Sequence, residues 1–320
     1  MNRPYEHGLH EVADGVHAWI QPDGTWGYSN AGLVVGSGAS VLVDTLFDLS
    51  LTRTMLDAMT RYTATSPIRS LVNTHANGDH CYGNQLVAGP GVEVIASETA
   101  AREIDEVPPS LMAAMVAGAG DDEVGRFVHH AFGRFDFNGI DQPPVTTTFS
   151  GDHRLSTGER TVELIEVGPA HTGGDVIAWL PHERVVFTGD IAFIGGTPIM
   201  WSGPVGNWIA ACDRIDALQP EVVVPGHGPI TDVAGLREVA DYLRFVRDGL
   251  ARRHEAAMSA DDAIRDLDAE INGTRFAAWT DRERLFATAP VIWSELDPTF
   301  VRPDILAVFA ALAADYARRR

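Results

Sequence analysis

The chain has 320 residues, 45% of them hydrophobic, which is ample for one large domain with an appendage. A net charge of −20 repels phosphate, and with no basic stripe in view it argues against a nucleic-acid partner. All 24 basic residues are arginine, so a Schiff-base lysine, a pyridoxal-phosphate anchor and a P-loop lysine are excluded.

In chain order, Val16 to Ile20, Ala31 to Val35 and Ser40 to Val43 read as an opening meander divided by turns such as Gly36-Ser37-Gly38. Asp48 is placed to cap a helix reaching about Tyr62, with Leu51, Met55, Ala58, Met59 and Tyr62 at helical spacing. Strands follow at Ile68 to Val72 and Val92 to Ala96, with Gly89-Pro90-Gly91 turning between them, and then a helical stretch from Glu98 to Asp105. Residues 107 to 144 read as a helical insertion, one helix carrying Leu111, Met112, Met115 and Val116, the other Val124, Phe127, Val128 and Phe132. Two amphipathic helices in that place suit a lid over a pocket, or a packing element that covers the sheet. Further strands are predicted at Val162 to Val167, Val176 to Leu180, Val185 to Phe187 and Val222 to Val224, with a helix from Trp208 to Leu218. After Asp232 the texture becomes all-helical: Leu236, Val239, Leu243, Val246 and Leu250 step by three and four, as do Ala263, Ile264, Leu267 and Ile271, and finally Ile305, Phe309, Leu312 and Tyr316. The division is therefore a mixed α/β domain over 1–232 and a helical C-terminal extension over 233–320, which encloses the site or supports a homodimer.

Chemistry concentrates in Thr74-His75-Ala76-Asn77-Gly78-Asp79-His80. Imidazole nitrogen and carboxylate oxygen suit a zinc-type divalent cation. Three more pieces follow, each at or just after a short β-branched run: Gly168-Pro169-Ala170-His171-Thr172, Phe187-Thr188-Gly189-Asp190 and Val224-Pro225-Gly226-His227-Gly228. Each places a potential ligand at a strand end, where loops rather than packing set side-chain direction. Cys81 adjoins a ligand but reads as a small buried thiol, and His129, His130 and His153 as surface or packing residues.

This ordered set resembles the metallo-β-lactamase superfamily, with its His-x-His-x-Asp-His signature followed by separate His, Asp and His, over roughly residues 15 to 232. The resemblance implies a four-layer αβ/βα sandwich. It also implies a first metal on His75, position 77 and His171, a second on Asp79, His80 and His227, and Asp190 bridging the two. Asn77 stands where the family usually has a second histidine. A neutral amide is the weaker donor, so the first site is expected to be the looser one. One or two zinc ions are expected, with iron or manganese as alternatives.

Such a cation makes water acidic enough to supply hydroxide for attack on a carbonyl, with Asp79 orienting the nucleophile and carrying a proton to the leaving group. The irregular segment 191–207 offers Phe193, Ile199, Met200 and Trp201 as an apolar substrate wall, or as side chains folded back onto the insertion helices. Together these features point to hydrolysis of an ester, thioester or lactone of a small, largely apolar acyl substrate. Met1 to His10 shows no export signal and no run reaches membrane-spanning length, so a cytoplasmic, membrane-free protein is expected rather than an exported β-lactamase. An iron-dependent redox enzyme and a non-catalytic binding protein remain the alternatives of other classes.

Overall fold

A computed structural model describes residues 5–320. Seven strands form the first sheet in sequence order: β1 (Gly8–Ala13), β2 (Val16–Ile20), β3 (Ala31–Val35), β4 (Ser40–Val43), β5 (Ile68–Val72), β6 (Glu93–Ser97) and β7 (Thr147–Phe149). The second sheet holds β8 (Asp152–Thr157), β9 (Arg160–Glu166), β10 (Val176–Leu180), β11 (Val185–Phe187) and β12 (Val222–Val224), in the order β12-β11-β10-β9-β8. The helices are α1 (Leu49–Thr63), α2 (Gly78–Cys81), α3 (Glu98–Glu103), α4 (Pro109–Gly118), α5 (Glu123–Phe132), α6 (Val205–Ala217), α7 (Val233–Glu255), α8 (Ala260–Ile271), α9 (Leu285–Leu296) and α10 (Ile305–Arg318).

Three packed interfaces separate four layers. Between the sheets, Val16, Ala18, Val34, Val41, Val43 and Val72 meet Val162, Leu164, Val176, Ala178, Leu180 and Val185. The alternate residues of the first sheet, Leu33, Leu42 and Leu71, face the other way and pack under α1 through Met55 and Met59. Ile165, Ile177, Trp179 and Val223 do the same on the second sheet, against α6, α7 and the rest of the C-terminal helices. A strand covered on both faces needs apolar residues in succession, which is why Val176–Leu180 is buried throughout rather than alternating. The expected αβ/βα sandwich is the observed one. The insertion forms α4 and α5 as predicted, and α5 packs on α10, with Phe127 in contact with Phe309 and Tyr316.

Topology brings the functional segments to one edge. β4 and β5 run parallel, so residues 44 and 73–80 leave the first sheet on the same side. β11 and β12 are also parallel, and β10 is antiparallel to them, so the exits of β11 and β12 share an edge with the loop entering β10. Backbone bonds tie the two edges together, from Val176 N to Thr74 O (2.8 Å) and from Asn30 N to Gly226 O (2.7 Å).

Five elements escape sequence reading, the one-turn helix α2 over Gly78–Cys81 among them. β1, β7 and β8 are edge or near-edge strands with polar, partly exposed residues. Helix α9 is buried on nearly every side and contains Pro290, so it has neither an amphipathic stripe nor an uninterrupted helical composition. Among the described residues no helix is long and apolar enough to cross a membrane. Leu164 is fully buried between the sheets, and Leu164→Ala is expected to cost about 2–5 kcal/mol, read as a lowered midpoint in urea unfolding at unchanged slope.

Candidate metal centre

The buried donors group as His75, His171 and Asp190, and as Asp79, His80 and His227. The Asp190 carboxylate lies at their junction. Its Oδ1 is 3.1 Å from His80 Nε2, and its Oδ2 is 3.3, 3.5 and 3.8 Å from the Nε2 atoms of His171, His227 and His75. Neighbouring ligands of a tetrahedral zinc sit about 3.3 Å apart, given Zn–N bonds of about 2.0–2.1 Å. The spacing is close to that of donors sharing a cation.

The far nitrogen of every ring is already committed. His171 Nδ1 donates to Ile199 O (2.6 Å) and His227 Nδ1 to Tyr28 O (3.0 Å). His80 Nδ1 donates to Asp44 Oδ2 (2.9 Å), and His75 Nδ1 to Thr74 Oγ1 (3.0 Å), whose own proton goes to Asp44 Oδ2 (2.8 Å). With protons placed on Nδ1, all the Nε2 lone pairs face Asp190. His75 Nε2, His80 Nε2 and Asp190 Oδ1 are buried with no hydrogen-bond partner. Orphaned acceptors in a dry pocket are costly unless a cation takes them, so the residues present fit a divalent metal.

Charge behaviour agrees. Burial disfavours an imidazolium at His227, yet Asp190 and Asp79 outweigh it and lift its pKa to about 9. The same contest at His80 ends well above the ordinary imidazole range, with Asp190, Asp79 and Asp44 opposing burial. For Asp79, burial raises the pKa but His80 and His227 pull it down to about 2. His75 and His171 lie below the usual range, first through burial. Side chains on one half of the centre thus hold protons that a cation would replace.

Asn77 stands at the first group. Its side-chain amide lies 2.9 Å from His171 Nε2, the lone pair aimed at the centre. The amide oxygen faces a cation there if the group is turned over; the nitrogen donates to His171 if it is not. At 14% side-chain exposure Asp79 is the most open of the six grouped donors, so solvent reaches the centre on its side.

Asp44 was not among the residues expected. It follows β4 with φ of +63° and accepts from Thr74 N (2.7 Å), Thr74 Oγ1 and His80 Nδ1. A carboxylate directly after an apolar strand, as in Val43-Asp44, was the signal available for it. Asp175 is its counterpart in the 168–175 loop. Burial raises its pKa to about 7 against the bonds it accepts from Thr172 and Ala170. Asn30 donates to Pro225 O and Gly228 O (2.9 Å each) and fixes the turn carrying His227. Gly226 is required there, because a Cβ would fall 2.0 Å from Asp190 Oδ1.

Among the expected wall residues, Phe193, Ile199 and Met200 are core side chains at 1, 4 and 0% exposure. They serve the centre from behind, Phe193 stacking on His227 with centroids 5.0 Å apart and planes at 3°. Trp201 keeps a partly open side chain, while its backbone N–H donates to His171 O (2.9 Å). Cys81 is fully buried with its Sγ on Ala76 O (3.6 Å), and burial pushes its thiol up. His130 stacks on Tyr316 and His153 on Phe149, away from the donor groups.

The chain belongs to the metallo-beta-lactamase superfamily, whose family profile matches residues 24–227. Among curated proteins it is 26% identical over 238 residues to a linear primary-alkylsulfatase of Pseudomonas sp. (strain ATCC 19151), covering 67% of this chain and 44% of that one. It is 24% identical over 200 residues to the alpha subunit of 2,4-dinitroanisole O-demethylase from Nocardioides sp. (strain JS1661), covering 61% and 51%. The chain thus spans about half the length of these relatives. Among solved structures, a stereoselective inverting sec-alkylsulfatase from Pseudomonas sp. superposes with a TM-score of 0.67 at 16% identity, over 92% of this chain and 51% of that one. A metallo-beta-lactamase from Pontibacter korlensis gives 0.56 at 21%, over 75% and 99%.

Asp44→Ala strips acceptors from His80 and Thr74, and is expected to weaken metal binding about 10- to 100-fold, measured by competition with a chromophoric chelator. For Asn77→His the expected outcome is a rise in bound zinc toward two ions per chain by elemental analysis; an unchanged ratio would show that Asn77 already serves as a ligand or takes no part.

Proposed function

We propose that this chain is a metal-dependent hydrolase that cleaves an ester-type bond in a small, largely apolar substrate. The observation that carries the reading is the set of buried Nε2 lone pairs converging on Asp190, each ring locked by a bond to its Nδ1. Such preorganisation costs the fold charge burial and orphaned acceptors, which a purely structural site has no use for. His75, His171 and Asp190, with Asn77 beside them, would hold one cation; Asp79, His80, His227 and Asp190 would hold another. A divalent cation there supplies a water acidic enough to react near neutral pH and an electrophilic centre for the oxygen that gains charge.

The chain's own groups do the rest. Asp79, ionised and open to solvent, accepts a hydrogen bond from the attacking water and so orients it. It takes up the proton released and passes it to the leaving group. The bond from water oxygen to the acyl carbon forms, the bond to the leaving oxygen or sulfur breaks, and the transferred proton neutralises that atom. Asp44, Thr74 and the carbonyls of Ile199 and Tyr28 keep the imidazoles from turning as charge develops.

Carboxylic esters, thioesters and lactones are the substrates proposed first. Alkyl sulfate esters are the second reading, favoured by the alkylsulfatase likenesses, one of which extends over 92% of the chain and so includes its helical extension. The linear primary-alkylsulfatase and the 2,4-dinitroanisole O-demethylase, by their names, act on molecules with an apolar alkyl or aryl part.

The test is a panel of aryl carboxylic esters, thioesters, lactones and primary and secondary alkyl sulfates, offered to protein loaded with zinc, manganese or iron. Turnover is expected for at least one class, abolished by chelation, restored by metal, and reduced at least about 100-fold in Asp79→Ala. Sulfate release would select the second reading. Protein that holds metal yet turns over none of these classes would contradict the proposal.

A further inference from the structure

We propose that Thr288, on α9 of the C-terminal extension, is a positioning residue for the metal centre; the inference rests on the metal-hydrolase reading above. Thr288 is fully buried. Its Oγ1 accepts from Met200 N (3.0 Å) and donates to Pro198 O (3.2 Å). These two groups flank Ile199, whose carbonyl takes the Nδ1 proton of His171 at 2.6 Å. One hydroxyl therefore pins the peptides on both sides of the acceptor that sets the tautomer and aim of a candidate ligand.

The loop needs such a pin. Residues 192–204 form no regular helix or strand, and Gly195, Gly196 and Gly203 within it leave the backbone free to turn. The extension supplies its anchors. Thr197 N donates to Thr280 O (3.0 Å) and Thr280 N to Gly195 O (3.1 Å). Arg284 Nη1 reaches Thr197 O (3.3 Å), and Val205 N donates to Glu295 Oε1 (2.9 Å). Of these, only the Thr288 bonds fall on the residues adjoining Ile199. From the other side Trp201 N donates to His171 O (2.9 Å), so the loop and the ligand grip each other at two points. Met200 is fully buried and Pro198 has no N–H to offer. Without the hydroxyl, a buried donor and acceptor lose their partners and the peptide carrying Ile199 loses its anchor to α9. The C-terminal helices then act on the metal centre through a defined contact, besides covering the second sheet.

The test uses Thr288→Val, Thr288→Ser and Thr288→Cys in the full chain, each checked for folding by circular dichroism. Long-range proton–nitrogen NMR on histidine-labelled, metal-free protein reads the tautomer of each ring. Wild type and Thr288→Ser are expected to show His171 protonated on Nδ1, and Thr288→Val to lose that single state. Zinc affinity at the group containing His75 and His171 should fall about tenfold in Thr288→Val and remain unchanged at Asp79, His80 and His227. Thr288→Cys, which keeps the size and weakens both bonds, should fall between them and carries the test if the valine variant does not fold. A variant lacking the hydroxyl that keeps the wild-type His171 tautomer and zinc affinity, losing only thermal stability, overturns the proposal. Wild-type protein that takes up none of zinc, manganese and iron would sink the hydrolase reading, whereas the tautomer measurement, made without metal, still decides the role of Thr288.

Discussion

The structure turns on one arrangement, a buried carboxylate at Asp190 facing the Nε2 atoms of His75, His80, His171 and His227. Like lone pairs do not gather in a dry pocket by themselves. They stay because the opposite nitrogen of each ring is bonded to something rigid: a backbone carbonyl for His171 and His227, Asp44 for His80, and Thr74 for His75. Removing that outer shell would let the rings rotate toward water or toward one another, and the site would disperse without any donor having been deleted.

Sheet topology makes the gathering possible. Parallel pairing of β4 with β5 and of β11 with β12 sends several chain exits to the same rim, and the sandwich then apposes the two rims. The close approach is bought at Gly226, where any side chain would strike Asp190. Asp44 accepts a left-handed backbone so that its carboxylate can turn back to Thr74 and His80. Behind the rim, Phe193 stacks on His227, and the Arg284 guanidinium lies 5.5 Å from the Phe193 ring centre, so the helical extension supports that ligand as well.

The positions of most strands and the donor set were legible in the chain. Short β-branched runs ending in His or Asp mark strand exits by residue type alone, and His75, Asp79, His80, His171, Asp190 and His227 all meet as those exits implied. What stayed hidden depends on contacts distant in sequence. Nothing local distinguishes Phe193, Ile199 and Met200 as core rather than wall; that follows from packing with α6 and the C-terminal helices, including α9, 85 to 103 residues further on, which is itself obscured by Pro290 and by being apolar all round. Asp44 followed the same rule as the ligands but stood alone, without a partner motif to draw notice. Polar edge strands such as β8 alternate too weakly against solvent to declare themselves.

The most direct test of the central claim is anomalous diffraction from crystals of the full chain grown with zinc, manganese and iron, collected at each absorption edge. A peak is expected about 2.0–2.3 Å from the Nε2 atoms of His80 and His227 and from a carboxylate oxygen of Asp79 or Asp190. A second, weaker peak beside His75 and His171 is also expected. Density showing these rings turned onto water or one another, with no anomalous peak between them, would contradict it.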